Sequence, residues 1–362
     1  MHTAALAATS DELLQRALAL ARGGRAAEMR RDLSGALSLY EQAQSLLVEV
    51  GPTPLHANLL RWSGSVLRDL GQVDDADRLY TDSFSMADLT GATAAKAAAL
   101  NCRAVVAQRR GDLQEADELY LCAARLAAEA GEIRLVGMIE QNLGVLANIE
   151  GDLRGALERY RAALSAFREV SDDEAASWVM NNMGMLLTDL GLPLRAEGTF
   201  RDALEIARAR RDRPLEGVLR TNLAEAQIAL GRNDEAAASL EVALRIARTG
   251  DDLAREGEAL KLLGVLEREQ SRYHEADGHL TAAVEIGRGA AEPLLVAEAL
   301  RERGELRLRE QKPGDAQKDW EAARRGFRAL HAKLDADRMT ARIDALLEGI
   351  RRDEWGAGGD DE

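Results

Sequence analysis

Small and large apolar side chains recur along most of the chain at helical spacing, set inside a longer period. Small residues stand at Gly24, Gly64, Ala104, Gly144, Gly184, Ala224, Gly264 and Gly304, a constant step of about 40 residues, in the range of helical repeat arrays. A glycine follows at Gly71, Gly111, Gly151, Gly191 and Gly231, always at the same distance from its marker. Next come alanines at 36, 76, 116, 156, 196, 236, 276 and 316, then a large apolar residue: Tyr40, Tyr80, Tyr120, Tyr160, Phe200, Leu240, Leu280 and Trp320. Another small residue closes each unit, from Ala43 and Ser83 to Ala323. Each unit therefore predicts a helix, a tight turn and a second helix.

The residue types have physical reasons. Two antiparallel helices approach to about 8–10 Å only where the crossing carries little bulk, which the marker and the two small residues supply. The aromatic is expected to fill the groove against the neighbouring repeat at interior density. The turn glycine is expected in the left-handed conformation that ends the first helix. Asp32, Asp112 and Asp152 stand near the next helix N-terminus, where a carboxylate is favoured. In the last unit Gln311 replaces the glycine, and Pro313-Gly314 is expected to make the turn. Loops between units are expected near Gly51-Pro52, Gly91, Gly131, Ser171-Asp172-Asp173, Arg211-Asp212, Gly250-Asp251 and Ala291-Glu292.

This pattern resembles the tetratricopeptide repeat, in the longer form found in kinesin light chains and bacterial peptide-sensing regulators. The resemblance implies an all-α, right-handed solenoid of helix-turn-helix repeats with a C-terminal capping helix. The expected organisation is a flexible arm over 1–10, about eight repeats over 11–331, a capping helix over 332–351 and an acidic disordered tail over 352–362.

Composition narrows the picture. Hydrophobic residues make up 46% of the chain but aromatics only 4%, so the core must be mostly alanine and leucine, which favour helix. No stretch alternates like a strand, and no apolar run reaches the length needed to span a bilayer. Asp11 and Glu12 interrupt the first apolar run early, against a signal peptide. A net charge of −15 argues against nucleic acid and anionic membranes as partners. Cys102 and Cys122 are expected as a reduced pair in a cytoplasmic protein. Abundant arginine beside scarce lysine suggests a GC-rich bacterial genome.

Catalytic signals are poor. Neither GxxxxGK[ST] nor GxGxxG occurs. His274 and His279 are spaced so that they point apart on a helix, unsuited to sharing a metal. No enzyme activity, metal or cofactor is therefore expected. The mixed charges Glu258, Lys261, Arg268, Glu298, Arg301 and Glu305 are read as a solvated surface, with a second, electrostatic docking patch as the alternative.

Polar residues on the first helices carry the functional expectation. Asn101, Gln141, Asn181 and Thr221 precede the marker by three, and Asn142, Asn182 and Asn222 by two. In tetratricopeptide folds the first helices line the concave side. Positions three before, one after and four after the marker share one face: Asn181, Met185 and Thr188 with Trp178 a turn earlier, and Gln141, Val145 and Asn148 with Met138. Helices about 10 Å apart against an extended peptide rising about 3.3 Å per residue give one amide contact per three residues or so. An asparagine amide both donates and accepts, so it can pair with a peptide backbone whatever its sequence. The resemblance implies the same, because related Asn-Asn-x-[Ala/Gly] helices contact extended peptides. The alternative is that these amides only bridge neighbouring helices, more so for Asn142, Asn182 and Asn222 than for Asn101 and Asn181. The lysine and asparagine clamp of chaperone-binding members is unmatched: Arg61 with Ser65, and Asn101 with Val105, stand there. The expected role is a scaffold binding an extended peptide or helix of another protein. A homo-oligomeric structural piece, suggested by the last repeat and Trp355, and a ligand-responsive sensor are the alternatives.

Overall fold

The computed structural model describes the backbone of residues 2–330 and 332–356, and the side chains of residues 10–330, 332, 333 and 335–348. The described residues form helices and turns without a strand. The chain divides into two compact units, Met1–Val179 and Met180–Glu362.

Unit 1 is a stack of helical hairpins: α1 (His2–Met29) with α2 (Leu33–Val50), α3 (Pro54–Asp69) with α4 (Val73–Leu89), α5 (Thr93–Arg110) with α6 (Leu113–Glu129), and α7 (Ile133–Glu150) with α8 (Leu153–Glu169). Helices α2, α4 and α6 also pack on the first helix that follows each, and the successive first helices α1, α3, α5 and α7 touch. The division falls within α9 (Asp173–Asp189). Unit 2 continues with α10 (Pro193–Ala209), α11 (Arg213–Ala229), α12 (Asn233–Thr249), α13 (Leu253–Glu269), α14 (Tyr273–Gly289), α15 (Pro293–Arg309), α16 (Pro313–Ala329) and α17 (Lys333–Gly356), packed by the same rule. The fold class is an all-α repeat solenoid. Helix α1 begins at His2, where the sequence pattern expects an arm, and α17 extends past the expected end of the cap. Residues 357–362 of the expected tail and the side chain of Trp355 lie outside the described residues.

The marker residue explains the packing. A Cβ on Gly64 would stand 2.7 Å from Cε1 of Tyr80, and one on Gly144 2.6 Å from Cε1 of Tyr160. The large residue thus lies on the bare backbone of its own hairpin, in addition to its expected seat against the neighbouring repeat. It reaches that neighbour as well: Tyr40 and Trp62 have ring centroids 5.9 Å apart, and Tyr80 clusters with Cys102 and Val106. Phe200 of α10 covers Gly184 of α9 in the same way. Cys102 and Cys122 are free thiols, Cys102 buried.

Every turn within a hairpin turns on one left-handed residue. Gly71 (φ 82°), Gly151 (φ 84°) and their equivalents take it without a Cβ penalty. Where glycine is missing the conformation persists, at Arg31 (φ 62°), Ser271 (φ 60°) and Gln311 (φ 60°). Gln311 thus makes its own turn, and Pro313 opens α16, contrary to the expected Pro-Gly turn, because proline suits the first helical position. Between hairpins, Ser171, Arg211, Asp251 and Ala291 are left-handed too. Asp32 and Asp152 accept from the backbone N–H of Gly35 and Gly155 at 2.9 Å, while Asp112 makes no such capping bond.

Candidate functional site

The first-helix faces combine two kinds of side chain. In unit 1, Asn142 of α7 donates through Nδ2 to Oδ1 of Asn101 of α5 at 3.0 Å. In unit 2, Asn222 of α11 donates to Oδ1 of Asn181 of α9 at 2.8 Å. The acceptors Asn101 and Asn181 are 6% and 4% exposed. Burial of an unpaired amide is costly, so these bonds fix how neighbouring first helices meet. Each bond joins one asparagine from the position three before the marker to one from the position two before the next. The expected distinction between a more structural and a more exposed set therefore has no counterpart in these four residues. The Nδ2 of Asn181 also lies 3.5 Å from the sulfur of Met185.

The remaining candidates face outward to differing degrees. Met138 and Trp178 of unit 1 are each 37% exposed, and Met185 of unit 2 is 49% exposed. Asn148 is exposed, and Gln141 and Asn182 are half-buried. The hydroxyls of Thr188 and Thr221 donate back to the carbonyls of Gly184 and Gly217, both at 3.1 Å.

Unit 2 contains a cleft of about 390 Å³ over its first helices, lined by Met185, Thr188, Asn222, Glu225, Glu258 and Lys261 among others. Ion pairs lie in it and on the helices beside it. Lys261 binds Glu298, Arg268 and Arg301 bind Glu302 at 2.9 and 3.0 Å, and Arg342 binds Glu305 at 2.8 Å. Charges at this end are thus ion-paired, across helices for Lys261, Arg268 and Glu305 and within one helix for Glu258 with Arg255 and Arg301 with Glu302. Loss of hydration in the cleft holds the carboxyl of Glu225 above the ordinary range against the pull of Lys261, with Asp189, Glu298 and Glu302 adding to the rise. Asp189 is raised by the same cause. Burial would raise Glu302 too, but Arg301 and Arg268 hold it low. Sequence reasoning passed over Asp189 and Glu225. Glu225 occupies the position just after the marker, where Met185 stands in its own repeat, so the same face rule would have found it.

Among the described residues no group of three or more metal-ligating side chains comes together, and no helix is long and apolar enough to cross a membrane.

A tetratricopeptide repeat model matches residues 135–209 and 173–249. No curated protein matches the chain. Three solved structures share the fold. A signal transduction ATPase with a tetratricopeptide repeat sensor, from Pyrococcus horikoshii, aligns with a TM-score of 0.63 and 16% identity, over 91% of this chain and 47% of that one. A Rap protein complexed with competence and sporulation factor aligns with a TM-score of 0.56 and 14% identity, over 95% of this chain and 99% of the other. The Rap conjugation gene regulator of plasmid pLS20, in complex with the Phr* peptide, gives 0.55 and 15% over 76% of each chain. At these identities the likeness is one of fold alone. Hairpins stacked on a glycine-aromatic repeat, with tetratricopeptide repeats matched over residues 135–249, give the chain the fold of a tetratricopeptide repeat solenoid.

Proposed function

We propose that this protein holds an extended segment of another polypeptide against the faces of its first helices and performs no chemistry on it. The observation that carries the reading is the recurrence of large apolar side chains left open on those faces. Met138, Trp178 and Met185 are 37%, 37% and 49% exposed, while the large residues of the hairpin cores are almost wholly buried. Exposed anchors of this kind supply most of the energy in protein recognition. The unit 2 cleft adds the free groups of Asn222 beside Met185, which suit a peptide backbone. The Rap structures, which hold a competence and sporulation factor and a Phr* peptide, support the same use of the fold.

The test separates anchors from framework. Asn181→Ala would leave Asn222 without its acceptor, so it reports on packing. Trp178→Ala with Met185→Ala removes open apolar surface and should shift unfolding little. The double variant is expected to lose a partner that the wild type retains in affinity purification from the native host. Equal retention would remove the proposal.

A further inference from the structure

A break in the repeat opens a second cleft in unit 2. Gly217 of α11 and Gly257 of α13 are equivalent positions, each beside an isoleucine of its own hairpin. A Cβ on Gly217 would stand 3.2 Å from Ile246, and one on Gly257 3.4 Å from Ile286. At Gly257 the following repeat adds a second cover, Leu295, which lies closer still. One repeat earlier the place of Leu295 falls to Arg255, which does not cover Gly217 and reaches Glu258 at 3.1 Å. In the hairpin of α7 and α8 the equivalent glycine is Gly137, and a Cβ there would stand 3.0 Å from the ring of Phe167. The counterpart of Phe167 beside Gly217 is Ala247. The chain thus fills this register with its own Leu295 at Gly257 and its own Phe167 at Gly137, and with neither device at Gly217.

The result is a cleft of about 360 Å³ between α11, α12 and α13, with apolar walls of Pro214, Gly217, Ala243, Ile246 and Ala247. The polar groups at its edge are already engaged. Arg213 pairs with Glu216 at 2.6 Å and Arg255 with Glu258 at 3.1 Å. Asp212 and Asp252 cap α11 and α13, accepting from the backbone N–H of Leu215 at 3.0 Å and of Arg255 at 3.1 Å, where the helix dipole meets their charge. The hydroxyls of Thr221 and Thr249 donate to the carbonyls of Gly217 and Arg245 at 3.1 and 2.7 Å. An ionised occupant would lose hydration here without gaining a partner. An uncharged apolar one gives up little and gains contact with the walls. An apolar cavity of about 150 Å³ takes benzene, so this volume suits a fused bicyclic ring. The paired charges around the mouth are a kind that the core of a protein–protein interface avoids, which favours a free molecule over a side chain of a partner. We infer that the cleft is a binding site for an uncharged, apolar small molecule, seated on Pro214, Ile246 and Ala247 where sister repeats place Phe167 or Leu295. The site lies on other residues than Trp178 and Met185 and stands or falls separately from peptide holding.

The probe is 2-acetylnaphthalene, titrated into the full chain by fluorescence and calorimetry. 2-Naphthoate and 2-naphthylmethylammonium carry the same rings with a charge of either sign. The expected result is saturable binding of one acetylnaphthalene per chain, with both charged compounds weaker by about tenfold or more, because burial of an unpaired charge is unfavourable. In the wild type the methyl resonances of Ala243, Ile246 and Ala247 should shift along the same binding curve. Arg255→Leu supplies the cover that Leu295 gives, and Ala247→Phe the one that Phe167 gives. Each variant is expected to abolish saturable binding while keeping the helical signal in circular dichroism. No saturable binding to the wild type, unmoved methyl resonances, or undiminished binding to a folded variant would overturn the site. A charged compound that binds as tightly as the neutral one would overturn the assignment to an uncharged ligand.

Discussion

A single left-handed residue per turn is the smallest unit of this design, and it makes a direct prediction. Ala291 and Gln311 hold φ of 56° and 60°, a conformation that costs a residue with a Cβ about 1–2 kcal/mol. Part of that gain is offset by the greater freedom of glycine in the unfolded chain. Ala291→Gly should therefore stabilise by about 0.5–1 kcal/mol, read from urea midpoints, whereas Gly151→Ala should destabilise by about 1 kcal/mol. The marker glycine predicts a larger effect. Gly144→Val drives two methyl groups into the Tyr160 ring and should cost about 1–3 kcal/mol by overpacking. Marker and turn glycines were legible because their spacing never varies. Left-handed Ala291, Arg211 and Ser171 could be placed in loops but not given a sign of φ, since nothing local in those residues demands it. At Gly250-Asp251 the visible glycine misleads, for Gly250 keeps φ at −95° and Asp251 turns to 52°.

Between helices, amide and ion pairs set the contact. The Asn181–Asn222 bond predicts coupling: in a double-mutant cycle of Asn181→Ala and Asn222→Ala, the single losses should exceed additivity by about 0.5–1.5 kcal/mol. Additive losses would mean the bond contributes nothing. Glu216 of α11 is buried and pairs with Arg220 at 3.0 Å, Arg213 at 2.6 Å and, on α10, Arg208 at 3.4 Å. Burial pushes its carboxyl up, but the hydrogen bond and charge of Arg220, with Arg208 and Arg213, outweigh this and hold it below the ordinary value. Its contribution is thus present above the unfolded value and lost as pH falls through the lower folded one. Glu216→Gln should lower the unfolding midpoint at pH 7 and do progressively less under acid conditions. Glu225 has the opposite sign. Its raised carboxyl makes the ionised form unfavourable when folded, so stability falls as pH rises toward its folded value. Glu225→Gln should raise the midpoint at neutral pH and change little in acid. The helix order was plain from the sequence, but these pairs were not. The asparagine bridge joins residues a repeat and one position apart, so it emerges only when repeats are laid beside each other with a one-residue offset. The ion pairs around Glu302 require the helices' actual approach.

Within each unit the helices described pack mainly on their neighbours in sequence, so stability is expected to accumulate along each array rather than arise from one central core. The same regularity leaves Met138 and Trp178 on the first helices of unit 1, and Met185 on one of unit 2, partly open to solvent. That an outward face would carry both amides and apolar anchors was legible. That the amides Asn101 and Asn181 turn inward was not, because helical spacing alone places them on the same face as Met185. The central claim is that another polypeptide lies on this face. Photo-crosslinking measures it most directly, with a benzophenone side chain at position 185 on α9 or at position 241, an exposed site on the second helix α12. The account predicts a crosslinked polypeptide from native extract at 185 and none at 241. A crosslink of equal yield at 241, or none at 185, would contradict it.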